Sequence, residues 1–133
     1  MCSGGRYYSE FLLLVMCGHA ARFYDVQVAE MLMAKARILL GSAIHQPSSI
    51  PTVQAILQLS ARDLAYGCVS QAWLYSGMAF RMAADLGLHH SYSSPVAPGL
   101  RGLNHVDLEV RRRLFWSCFL WDTSVDFIHP HKG

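Results

Sequence analysis

The stretch from Val69 to His89, VSQAWLYSGMAFRMAADLGLH, decides the fold. Ala72, Ser76, Ala79 and Ala83 recur at spacings of four, three and four, which places them on one stripe of an α-helix. Small side chains on that stripe let a neighbouring backbone come close, while the adjoining Trp73, Gly77 and Phe80 offer bulk to a second neighbour. The reading is a central helix from about Val69 to Leu86, covered on two sides and ended by Gly87. Arg81 and Asp85 stand four apart and are expected to pair on its surface, a contribution of about 0.2–0.5 kcal/mol.

Working outward, helical periodicity continues in both directions and no strand alternation with hairpin turns occurs. A first helix is expected over Tyr7 to Phe23, with Tyr8, Phe11, Leu12, Val15 and His19 on one side. Asp25 reads as the cap of a second helix whose stripe is Ala29, Leu32, Met33, Ala36, Leu39, Leu40 and Ala43. After the polar connector His45 to Ser49, Ser49 caps a third helix that tolerates Pro51 in its first turn. This helix carries Val53, Ile56, Leu57, Ser60, Ala61 and Leu64 inward and stops at Gly67. Beyond the deciding stretch, His90 to Gly102 hold three serines, two prolines and two glycines and read as the one long loop. Asn104 then caps a fifth helix with Asp107 and Glu109 at its dipole-favoured start, and with Leu108, Leu114, Phe115, Cys118, Phe119, Trp121 and Val125 as its body. The expectation is an all-α antiparallel array of about five helices.

Composition narrows the class. The chain has 133 residues, enough for one core, with 53% apolar and only 15% charged residues against a usual charged share of about 25%. So little charge leaves apolar surface for another chain or for further helices of the same one, and an incomplete part of a larger helical domain is expected. A formal net charge of +2 with scattered basic residues gives no phosphate-seeking field. Cys2, Cys17, Cys68 and Cys118 form no C-x2-C pair and read as free thiols of a reducing compartment. Phe11 to Cys17 behind Arg6 could pass for a leader, but Glu10 breaks the positive approach. No stretch reaches the roughly 20 apolar residues that span a bilayer, so a soluble intracellular chain without membrane contact is expected.

Three segments resemble a known family. Ser49 to Ser60, SIPTVQAILQLS, is similar to the S-x-PTVQALLLLS helix of the fungal-specific transcription factor domain, the middle homology region of fungal zinc binuclear cluster regulators. Ser70 to His89 resembles its S-x-AWLY-x-GMAIRMA-x-DLGLH signature through Trp73, Gly77, Arg81, Asp85, Gly87 and His89. Glu109 to Asp122 resembles its E-x-RRRLFWS-x-F-x-x-D helix through Arg112, Arg113, Phe115, Trp116 and Asp122. The resemblance covers about residues 22–122. It implies a nuclear region that modulates transcription through protein partners, through the remaining helices of the parent, or through a small-molecule effector. It also implies that zinc and DNA contact belong to a module outside these residues, which hold no six-cysteine cluster. After Asp122 the chain departs from the family's basic residue and GRP-like turn, with Thr123-Ser124 and Phe127 to His131 in their place.

Arg111-Arg112-Arg113 suggest phosphate binding at first sight, but consecutive helical positions point about 100° apart. With Asp107 and Glu109 close by, an ion-pair network is expected, and under the resemblance one arginine ties the fifth helix to Asp85 or Asp122. His89-His90 and His129-x-His131 lack companion ligands at fixed spacing and read as loop histidines. Trp73, Trp116 and Trp121 fit core packing, with the lining of a small-molecule pocket as the alternative. No G-x-S-x-G, H-E-x-x-H or glycine-rich phosphate loop occurs, and Ser76-Gly77 and Asp63 are read as helix residues without partners. Neither an enzyme nor a cofactor is therefore expected. Trp73, Gly77 and Phe80 also echo a tetratricopeptide helix hairpin, but no second copy recurs about 34 residues away.

Overall fold

The computed structural model describes residues 7–88 and 105–129. Five helices and no strand occur among the described residues: α1 Glu10–Ala21, α2 Val26–Ala43, α3 Ile50–Ala65, α4 Val69–Asp85 and α5 His105–Ile128. The expected loop from His90 to Gly102, its neighbour His89, the Asn104 cap and His131 lie outside the described residues.

Local chemistry sets the helix ends. The Asp25 carboxylate accepts from the Gln27 and Val28 amides, and the Ser49 hydroxyl from that of Thr52, so both expected caps form. Gly67 (φ 81°) and Gly87 (φ 69°) close α3 and α4 in the left-handed region that a side chain would strain. Cys68 and Leu88 then donate back to the carbonyls of Asp63 and Ala83, satisfying carbonyls the helices leave open.

Three boundaries or placements differ from expectation. The first helix begins at Glu10, because the Ser9 hydroxyl takes the Leu12 amide, and Tyr8 stands exposed outside it. Tyr7 points away to donate its hydroxyl to the buried Asp107 carboxylate at the start of α5. On α5, Phe119 and Trp116 are about half exposed, and the buried positions are Asp107, Leu114, Cys118 and Val125.

The helices pack as an array in the spatial order α2, α1, α3, α4, α5, with the most extensive contact between α3 and α4. The small-residue stripe is as expected: Ala72, Ser76, Ala79 and Ala83 are fully buried. The most enclosed helix, however, is α3 and not α4. Ala55, Leu59, Arg62 and Asp63 are buried on α3 in addition to Val53, Ile56 and Ser60, because α1, α4 and the margin of α5 hold it from several sides. On α4 the Trp73, Gly77 and Phe80 side is only partly covered by α5. At the α1–α2 contact, a Cβ on Gly18 would stand 2.8 Å from Met33 Cε, so glycine is what lets that methionine lie against α1.

Candidate functional site

Two polar systems fasten the array. Arg37 on α2 grips Asp63 on α3 with both terminal guanidinium nitrogens (2.6 and 3.4 Å) and donates to the Tyr75 hydroxyl on α4 at 3.0 Å. Arg62, also buried on α3, pairs with Glu30 and lies 4.6 Å over the Tyr66 ring. Asp63 is thus the anchor of a three-helix link, not a residue without a partner. Its Ala variant should lose about 1.5–3 kcal/mol in urea denaturation, because it removes both charge-assisted bonds between Arg37 and α3. The second system joins α3, α4 and α5. Trp121 Nε1 donates to Ser60 Oγ at 2.7 Å, and Ser60 donates to the Ala72 carbonyl at 2.7 Å. Ser76 donates to Asp122 at 3.0 Å, so it too has a partner on the neighbouring helix.

The signature residues separate into two groups. Trp73, Gly77, Arg81 and Asp122, with Leu74, Met78, Phe80, Ala84 and Asp126, line an open groove of about 750 Å³ between α4 and α5. Trp73 is oriented there by its indole bond to Asp126 (2.6 Å) and by stacking on His129 at 5.1 Å. Phe80 meets Phe115 and Phe119 with ring centroids 6.4 Å apart, and Trp116 stands edge-on to Phe119 at 5.8 Å, so the aromatic part of the third motif packs against one of the groove's lining residues. Among the tryptophans, Trp121 packs between helices, Trp73 lines the groove and Trp116 is half exposed.

Arg112 and Arg113 form the other group: both bond Glu109 on their own helix, at 2.7 Å each. Hydrogen bonds from these two arginines hold the Glu109 carboxyl down at about 2. The expected ion-pair network is therefore present around Glu109, while the tie to α4 is made differently. Arg111, not paired through Asp85 or Asp122, donates to the Leu86 carbonyl at 2.5 Å, where the end of α4 carries partial negative charge. Arg81 and Asp85 form no ion pair among the described residues. Both are exposed, and water competes effectively with so weak a pair. Gly87 serves the helix end as expected, and His89 lies outside the described residues.

Burial shifts two titratable groups near the core. Burial lowers the His19 pKa although its Nε2 lies 3.2 Å from the Gln58 carbonyl, and burial pushes the Cys118 thiol up to about 12 with help from the Asp122 charge. Such a thiol holds no nucleophilic thiolate at neutral pH. Among the described residues no three His, Cys, Asp or Glu side chains gather as a metal site, and no helix is long and apolar enough to cross a membrane.

Comparison with known proteins fits this arrangement. The family description "Fungal specific transcription factor domain" matches residues 3–131, a wider span than the three motifs alone cover. An uncharacterized transcriptional regulatory protein of Schizosaccharomyces pombe is 34% identical over 95% of the chain and 21% of its own length. The nitrogen assimilation transcription factors nirA of Emericella nidulans and nit-4 of Neurospora crassa are 42% and 34% identical over 65% of the chain, corresponding to 9% and 7% of their own lengths. The chain thus spans about a fifth or less of these relatives. No solved structure matches it. With its three motifs assembled on α3, α4 and α5, the chain belongs to the fungal specific transcription factor domain family.

Proposed function

We propose that these residues act in the nucleus as a single helical regulatory unit that modulates transcription through protein contacts on the α4–α5 groove. Zinc and DNA binding are assigned to another part of the parent protein, and the unit works by docking, without catalysis. The observation that carries the reading is the groove itself. Its walls come from two of the three family motifs, and Leu74 in its lining is 55% exposed. Apolar surface of that kind marks an interaction site on a soluble domain. The volume also lies in the range of about 300–1,000 Å³ that suits a small-molecule effector, but one side is open, which favours a protein surface.

The test is a graft. The chain is fused between an unrelated DNA-binding domain and an activation domain, and reporter output is compared with the same fusion lacking it. A regulatory unit changes the output at equal protein level. Equal output from the two fusions contradicts the reading.

A further inference from the structure

A second hollow, of about 340 Å³, lies between α3 and α5 and shares no residue with the α4–α5 groove. On α5, Arg113 stands about 100° to one side of the buried Leu114 and Asp122 about 80° to the other, so the hollow and the groove open on opposite flanks of that helix. Leu57, Val110 and Leu114 give the hollow an apolar lining. Past Val110 and Arg113 it continues into a further hollow of about 290 Å³ beside His105 and Val106.

The α3 wall presents two carboxamides. Gln54 and Gln58 stand one helical turn apart, and neither side chain makes a hydrogen bond among the described residues. Gln58 is exposed and occupies a position where the S-x-PTVQALLLLS pattern has leucine. Four helical residues rise about 6 Å. Alternate residues of an extended chain lie about 6.6 Å apart and turn their N–H and C=O to the same side. A carboxamide carries a donor and an acceptor in one plane, so it matches such a residue, and two at this spacing match two alternate residues of a peptide laid along α3.

The α5 wall supplies charge. The Arg113 side chain is 76% exposed; its Nε bonds Glu109, while its two terminal nitrogens make no hydrogen bond among the described residues. Arg112 bonds the same carboxylate, so two guanidiniums share one negative charge and this rim keeps a positive balance. Glu109 lines only the adjoining hollow, and no carboxylate among the described residues lines the 340 Å³ one. The terminal nitrogens of an arginine form a fork that suits a carboxylate.

We propose that the α3–α5 hollow binds an extended peptide segment of a partner protein, one that carries an acidic side chain close to an apolar one. The peptide backbone runs along Gln54 and Gln58, the acidic group meets Arg113, and the apolar side chain rests on Leu57 and Leu114. This site lies apart from the α4–α5 groove and does not depend on the function proposed for it.

Fluorescence anisotropy of the 133-residue chain with fluorescein-labelled Ser-Leu-Ser-Asp-Ser-Leu-Ser tests it, with circular dichroism melting as the control for folding. Leucine stands two places to either side of the aspartate, so both chain directions offer the same pattern. The peptide is expected to bind saturably, and its counterpart with lysine for aspartate about tenfold more weakly or worse. Arg113→Gln abolishes that preference and Arg113→Glu reverses it. Gln58→Leu weakens the aspartate peptide by about fivefold, the worth of one lost hydrogen bond. Leu74→Glu, on the other flank, binds as the wild type does. The inference is overturned if the aspartate peptide does not bind at about 1 mM, if the two peptides bind alike, or if Arg113→Gln keeps the preference. It is also overturned if Gln58→Leu has no effect, if N-acetylaspartate competes as well as the peptide, which marks a site for a small carboxylate, or if Leu74→Glu loses binding, which places the peptide in the α4–α5 groove.

Discussion

Ala79→Trp is expected to abolish cooperative folding of the chain. Ala79 is fully buried on the α4 stripe that lies against α3, and its methyl is part of the same core as Ile56 and Leu59. An indole at this position has no cavity to enter, so α4 must move away from α3. That movement breaks the Ser60 bond to the Ala72 carbonyl and the Trp121 bond to Ser60. Ordinary overpacking costs about 1–3 kcal/mol, and an indole in a helix seam belongs at or beyond the top of that range. Against a total stability of about 5–15 kcal/mol, the additional loss of the inter-helix bonds leaves a chain that melts broadly or not at all by circular dichroism. A sharp transition at the wild-type temperature would mean that α4 does not sit on α3 in this way.

Leu59→Ala tests the opposite defect at the same seam. Leu59 is fully buried near the centre of α3, the helix enclosed by α1, α4 and part of α5. Removing its isobutyl group should leave a cavity that the surrounding helices only partly fill, at a cost of about 2–5 kcal/mol measured by urea denaturation. Leu13→Ala on α1, a position 47% exposed, should cost well under half as much. If the two variants lose equal stability, α3 is not the hub of the array.

The caps of α2 and α3, the glycine ends of α3 and α4 and the close-packing face of α4 could be read without coordinates, because each rests on chemistry local in the chain. Asp25 and Ser49 cap through amides two or three residues away, Gly67 and Gly87 supply the left-handed turn, and Ala72 to Ala83 show a stripe of small residues at helical spacing. The partners of charged residues could not be read. Asp63 and Arg62 look like ordinary helix residues until α2 is folded across them and supplies Arg37 and Glu30, whose separations in the chain carry no periodic signal. Their occurrence beside Leu59 and Ser60 on a well-enclosed helix is the one hint that both are buried with partners.

The site shows the same division. Trp73, Gly77, Arg81 and Asp122 were singled out by resemblance, but their assembly into one groove depends on the antiparallel docking of α5 on α4. Asp126 went unnoticed because it falls beyond the third motif, where the chain departs from the family pattern, and the longer α5 carries it to Trp73. The α1 boundary was misplaced for another reason. Tyr7 and Tyr8 continue the apolar periodicity, yet the Ser9 cap and the Tyr7 bond to Asp107 take the chain out of the helix.

The most direct test of docking through the α4–α5 groove is a single variant, Leu74→Glu, measured in the grafted reporter alongside its melting curve. Leu74 lines the groove but is more than half exposed, so stability should change by no more than about 0.5 kcal/mol. The predicted result is an unaltered fold with the regulatory effect lost. A folded variant that regulates the reporter as the wild-type chain does would contradict the account.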